Sequence, residues 1–184
     1  MPIFGRWRAD LQLLDRAERF VTRLLAEPEA DDIVWLSGAA TRGDADHAAW
    51  ELRYARRALG LVTAQRDALD DRTGAAVAHA MAGAFERDPR IGRDRLELAQ
   101  GQFNARLSAY RDALGARVTA ATAVPLGRTL LAFAGGSFRE VDANVVRGGA
   151  VLGRYLDEAS DVLRLIFGTA SLPEHVAPSA IDRR

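Results

Sequence analysis

Apolar residues recur every three or four positions along most of this chain, a spacing that predicts one amphipathic helix after another. The clearest run lies between Arg93 and Val118, where Leu96, Ala99, Phe103, Leu107, Tyr110 and Leu114 fall on one face of a 3.6-residue helix. Asp94 followed by Glu97 reads as a capping box at its start. Such a stripe needs a partner surface, which predicts a bundle rather than a lone helix.

A first helix is expected over about 6–26, with Trp7, Leu11, Leu14, Val21 and Leu25 on one stripe that Leu13, Phe20 and Leu24 widen, and with Pro28 ending it. The stretch Glu29 to Gly43 admits two readings, a short helix begun by Asp31-Asp32 or a tucked-in apolar segment; the short helix is favoured. Asp44 caps a second long helix to about Leu69, with Ala48, Leu52, Ala55, Leu59, Val62 and Leu69 on its face and Trp50, Tyr54 and Leu61 broadening it to two-sided contact. An alanine-rich helix follows over about 72–87 around Val77, Met81 and Phe85, before a turn at Pro89 and Gly92. Pro125 starts a short helix that Gly135-Gly136 stops. Ser137 and Glu140 read as a second capping box, opening a last helix to about Phe167 with Val141, Val145, Leu152, Ala159, Leu163 and Ile166 inward. Gly148-Gly149 is expected to bend or thin it, and Gly149-x-x-x-Gly153 to form a packing notch.

No period-two pattern suggests a strand. The expected fold is all-α: an antiparallel bundle of four long helices plus one or two short ones, as a single domain over 1–168 with a flexible tail over 169–184.

Composition narrows the chemistry. All 25 basic residues are arginine, since the chain has no lysine, and with alanine so abundant a GC-rich coding bias is the simplest account. The 25 acidic residues are interleaved with them, so the formal net charge is zero and no basic stripe of the kind nucleic acid requires stands out. The absence of cysteine excludes disulfides, thiol catalysis and Cys-ligated metals. No stretch reaches the roughly 18 apolar residues a membrane-spanning helix needs, and no leader pattern precedes the first helix; a cytoplasmic protein is expected.

The candidate chemical groups each have a simpler explanation. His47, His79 and His175 are far apart and form no Glu-x-x-His or His-x-x-x-His pair, so no metal or catalytic set is assigned. Asp44, Asp46 and His47 read as a helix start, where negative charge is favourable. Gly135-Gly136-Ser137 lacks the phosphate-loop pattern. Asp157, Glu158 and Asp161 sit at helical spacings from Arg154 and Arg164, which predicts a solvated, self-paired face. No cofactor is expected. What remains are the aromatic residues: Phe4, Trp7, Trp35 and Trp50, with Arg8, are the candidate interaction anchors, because large aromatics dominate interface energetics. The segment Pro2 to Arg8 can alternatively graze an anionic membrane or fold back as a staple on its own helix.

The expected function is a non-enzymatic scaffold or protein-interaction subunit, with a protein partner or self-association. The alternative is a ligand-binding or enzymatic bundle with an inter-helix pocket of arginines and carboxylates. A third is an arginine-rich partner of a ribonucleoprotein.

One segment resembles a known family. Gln102-Phe103-Asn104-Ala105-Arg106-Leu107-Ser108-Ala109-Tyr110, then Ala113-Leu114, Pro125, and Ala132-Phe133-Ala134-Gly135 with Phe138, is similar to the closing pattern of LemA-family proteins. Ala49-Trp50 and Arg66-Asp67-Ala68-Leu69 are similar to that family's earlier helix. Arg111 stands where the family pattern has a second Asn, the inter-helix spacing is shorter, and the family's N-terminal anchor is not matched by Met1–Trp7. The resemblance implies an antiparallel helical bundle and carries over no functional residue.

Overall fold

The computed structural model describes residues 3–68, 70–115, 123–136 and 141–168, with side chains from Arg8 onward. All of its regular structure among those residues is helical. The order is α1 (Ile3–Leu24), α2 (Ala30–Ala39), α3 (Ala45–Asp67), α4 (Asp71–Arg87), a 3₁₀ turn (Arg93–Arg95), α5 (Leu96–Gly115), α6 (Ala123–Phe133) and α7 (Ala143–Phe167). Five of these helices have 17 residues or more, so the described chain carries one more long helix than the four expected.

Aspartate caps set three of the starts. Asp44 accepts the backbone N–H of His47 at 2.9 Å, Asp70 that of Thr73 at 2.7 Å, and Asp142 that of Val145 at 2.9 Å. Each satisfies one of the donors that a helix start leaves open. The third is a correction: α7 opens at Ala143 under Asp142, whereas the expected cap Ser137 and its partner Glu140 lie outside the described residues. Val141, expected inward, precedes that cap and is exposed. The Asp94–Glu97 box does not close either, because a 3₁₀ turn leads into α5 and no hydrogen bond joins that pair. Between α2 and α3 the chain reverses through Arg42 and Gly43 at φ 57° and 90°; only the second lacks the Cβ that disfavours this region.

Helix α3 packs against all six other α-helices. Its burial follows: 14 of its 23 residues are inaccessible, on every side of the helix. Phe20, Val21 and Leu24 of α1, Leu36 of α2, Val77, Met81 and Phe85 of α4, Phe103 and Tyr110 of α5, Leu126, Leu130 and Leu131 of α6, and Leu152 and Tyr155 of α7 complete one continuous core with it. On α1 the expected stripe is rotated: Ala17, Phe20, Val21 and Leu24 are buried while Leu11 and Leu14 are exposed. The inward face of α1 thus follows the 17–20–21–24 spacing, which leaves the 11–14 line to solvent.

Helices α6 and α7 approach closely because glycine faces glycine. A Cβ on Gly127 would collide with the Val145 carbonyl and come within 2.8 Å of the Gly149 nitrogen, and one on Gly148 would come within 3.1 Å of the Gly127 Cα. The expected notch is therefore shifted: Gly148 and Gly149 form it, while a Cβ on Gly153 would meet nothing within 4 Å among the described residues. Helix α7 runs unbroken through both glycines.

Gly127→Ala is expected to lower stability by about 1–3 kcal/mol, the range for overpacking against atoms that cannot move aside. Gly153→Ala, in open helical surroundings, is expected to raise it by about 0.5–1 kcal/mol. Urea unfolding followed by circular dichroism distinguishes the two; equal effects would contradict the glycine crossing.

Candidate functional site

Two buried ion pairs cross the centre of the molecule, and neither was anticipated from sequence. On α5, Arg106 occupies the apolar face between Phe103 and Tyr110; on α3, Glu51 lies beside Leu52 among buried alanines. The Arg106 Nε donates to Glu51 Oε2 at 2.7 Å, its second terminal nitrogen donates to Glu51 Oε1, and the remaining one donates to the Gln102 carbonyl at 2.9 Å. The rings of Tyr54 and Phe133 lie 5.0 and 4.6 Å from its guanidinium carbon. Burial works against its charge, but the Glu51 carboxylate overcomes this and raises the proton affinity of Arg106. A charge removed from water is tolerable only with such pairing and hydrogen bonding.

The second pair is Arg57 on α3 with Asp88 at the end of α4, 2.7 Å apart and almost wholly inaccessible. Arg57 Nε and its other terminal nitrogen have no hydrogen-bond partner among the described residues, and the Phe85 ring lies 5.0 Å from its guanidinium carbon. Asp88 also accepts the backbone N–H of Arg90 at 3.1 Å and its Nε at 2.8 Å. Arg90 reaches on to Glu27, which Arg53 grips at 2.7 and 3.0 Å, and Arg53 stands over Trp50 at 5.1 Å. Burial raises the Asp88 proton affinity, but the hydrogen bonds from Arg90 and Arg57 outweigh it and hold the carboxyl at about 2.

These networks flank a cleft of about 330 Å³, within the roughly 300–1,000 Å³ typical of small-molecule sites. One wall is a single face of α3 with His47, Trp50, Glu51 and Tyr54 at positions i, i+3, i+4 and i+7. The other is one face of the helical segment opposite, with Arg95, Leu98, Ala99, Gln102 and Arg106. Arg90 and Ile91 close one end, and Asp46 lies at the start of α3. Trp50 and Tyr54 stand 5.5 Å apart at 36°, the Tyr54 hydroxyl donates to Gln102 Oε1 at 3.1 Å, and His47 Nε2 lies 3.4 Å from Glu51 Oε1. With both oxygens gripped by Arg106, Glu51 is held in one position, and the arrangement suits the holding of a ligand.

The candidate anchors fall in different places. Trp50 lines the cleft. Trp35 is half-buried on α2, where its Nε1–H donates to Asn144 Oδ1 of α7 at 3.2 Å and Arg147 covers it at 5.1 Å. Arg8 is exposed on α1; Phe4 and Trp7 lie in the first turns of that helix, and their side chains are outside the described set. The acidic face of α7 does not pair only within itself: Arg164 meets Asp161 at 3.2 Å, but Arg154 reaches Asp32 of α2 and Glu29 just before it, and Glu158 takes Arg56 of α3 at 2.5 Å. Among the described residues no group of three or more metal-ligating side chains occurs. No helix there is long and apolar enough to cross a membrane.

A signal for the buried pairs was present: opposite charges interrupting apolar faces on separate helices. Pairing them required the tertiary arrangement. Comparison with protein families, curated proteins and solved structures yields no match for this chain.

The Asp88 carboxyl, depressed from 3.8 to about 2, adds stability above its unfolded-state value that is lost as pH falls through its folded one. Asp88→Asn is expected to cost about 3–5 kcal/mol near neutrality by stranding Arg57. Its deficit relative to wild type should shrink by about 2 kcal/mol between pH 5 and pH 2. Urea titrations across that range check both; a pH-independent deficit would show that Asp88 ionisation is not coupled to folding.

Proposed function

We propose that this chain is a helical binding module, and that its ligand site is the cleft between α3 and α5. The observation that carries this reading is the combination of an aromatic wall, Trp50 and Tyr54, with a floor of paired buried charges, Glu51 and Arg106. Apolar walls supply affinity through burial, and a few fixed polar groups set orientation. The resemblance to LemA-family proteins implies a helical bundle and assigns no residue a role.

A second reading, self-association through α1 and α7, has its own support. A groove of about 580 Å³ runs between these helices beside Arg19, Arg23, Val162 and Ile166, and Leu165 there is 79% exposed. Light scattering decides it: a dimer that Leu165→Glu converts to a 20.0 kDa monomer supports it, and a wild-type monomer at all concentrations removes it.

For the cleft, a fragment screen by NMR is expected to yield molecules that shift the Trp50 indole N–H resonance and leave that of Trp35 in place. Ala99→Leu, which narrows the cleft, should weaken those hits at least severalfold. Hits that move Trp35 alone, or that ignore Ala99→Leu, would overturn the assignment.

A further inference from the structure

We infer that the N-terminal half of α1 is a docking surface for a second copy of this chain, the two helices lying antiparallel with Arg8 of each against Asp15 of the other. The inference is independent of the cleft, and it uses a face of α1 other than the groove beside α7.

Helix α1 carries two apolar lines. Leu13, Ala17, Phe20, Val21 and Leu24 pack into the core. Phe4, Trp7, Leu11 and Leu14 occupy positions spaced by three, four and three, which share a second face of the helix. On it Leu11 and Leu14 are 47% and 42% exposed. Glu18, the next position on that line, is exposed as well and ends it. This spacing is the repeat by which one helix packs along another in a coiled coil. A line of large apolar residues left to solvent marks a contact surface.

The charges on the rims select both the occupant and its direction. Arg8 and Asp15, both exposed, stand seven residues apart on one rim of the line. In an antiparallel pair with Phe4 at the level of Leu14 and Trp7 at that of Leu11, residue 8 of each copy meets residue 15 of the other. The opposite-charge contact then occurs twice, around a two-fold axis at Ala9. A parallel pair would instead set Asp10 against Asp15, and a slip of one heptad would set Arg8 or Asp15 against its own copy. Within one chain Arg8 makes no ion pair among the described residues. Asp15 has an exposed contact with Arg19 at 3.2 Å, of little energetic worth. On the opposite rim Asp10 is held by Arg72 in the first turn of α4. Helix α4 thus begins level with the middle of the apolar line, so antiparallel pairing carries the two bodies to opposite ends of the contact. Asp10, Asp15 and Glu18 along the same stretch disfavour an anionic lipid surface, which such a helix meets with a basic polar face.

Sedimentation velocity of the full chain over a dilution series tests this, and the expected result is a dimer of the 20.0 kDa chain. Leu11→Glu, Arg8→Glu and Asp15→Arg should each weaken the dimer at least tenfold, whereas Leu165→Glu should leave it intact. All these residues are exposed, and unchanged circular dichroism verifies that the variants fold. An equimolar mixture of Arg8→Glu and Asp15→Arg should associate again, because each chain then meets its opposite charge in the other. A wild-type monomer at every concentration overturns the inference, as does a mixture of the two rim variants that stays monomeric. A dimer dissociated by Leu165→Glu but not by Leu11→Glu also overturns it, and assigns association to the α1–α7 groove. A monomer that cosediments with phosphatidylglycerol vesicles, and loses them on Leu11→Glu, gives this face to lipid and overturns the second copy. The cleft reading stands or falls separately from all of these outcomes.

Discussion

The contact on which this architecture turns is the bidentate Glu51–Arg106 pair. Both charges lie among buried apolar side chains, so each demands one partner at one height on a neighbouring helix. A hydrophobic seam tolerates sliding by a residue or a turn, because one leucine substitutes for another. A buried guanidinium locked to a carboxylate does not, since any slip strands two charges away from water. The pair therefore fixes the register of α5 on α3, and with it the contact of the Tyr54 hydroxyl with Gln102.

The neighbouring Arg57–Asp88 pair does the same for α4 on α3. Through Arg90, Glu27 and Arg53 it extends to the surface beside Trp50. The half of the molecule around α3, α4 and α5 is thus held by charge placed inside apolar faces. The α6–α7 crossing works by the opposite means, with side chains removed at Gly127, Gly148 and Gly149 so that backbones touch. Two phenols lie in the interior, Tyr110 and Tyr155, whose hydroxyls have no hydrogen-bond partner among the described residues. Burial raises the proton affinity of both, so they remain neutral.

Much of the helical plan follows from local chemistry. Asp44 and Asp70 cap the helices they precede because their side chains satisfy N–H groups three residues on. Gly135 ends α6 at φ 88°, a backbone angle that glycine adopts without a Cβ penalty. The 3–4 spacing of Leu96, Ala99, Phe103, Leu107, Tyr110 and Leu114 marks the inward side of α5, and all six are buried or half-buried there. Where local signals misled, a competitor of equal local merit existed: Ser137 and Asp142 are both good caps, and the described α7 uses the second.

What the sequence determined by itself was therefore periodic and short-range: where helices run, what starts and stops them, and which side of most of them is greasy. It did not determine partners. That Arg106 meets Glu51, that Arg154 crosses to α2, or that Leu11 and Leu14 face water depends on which helices become neighbours and at what height. Tertiary packing alone decided these, because a charge or a leucine acquires its energetic meaning only from the surface brought against it.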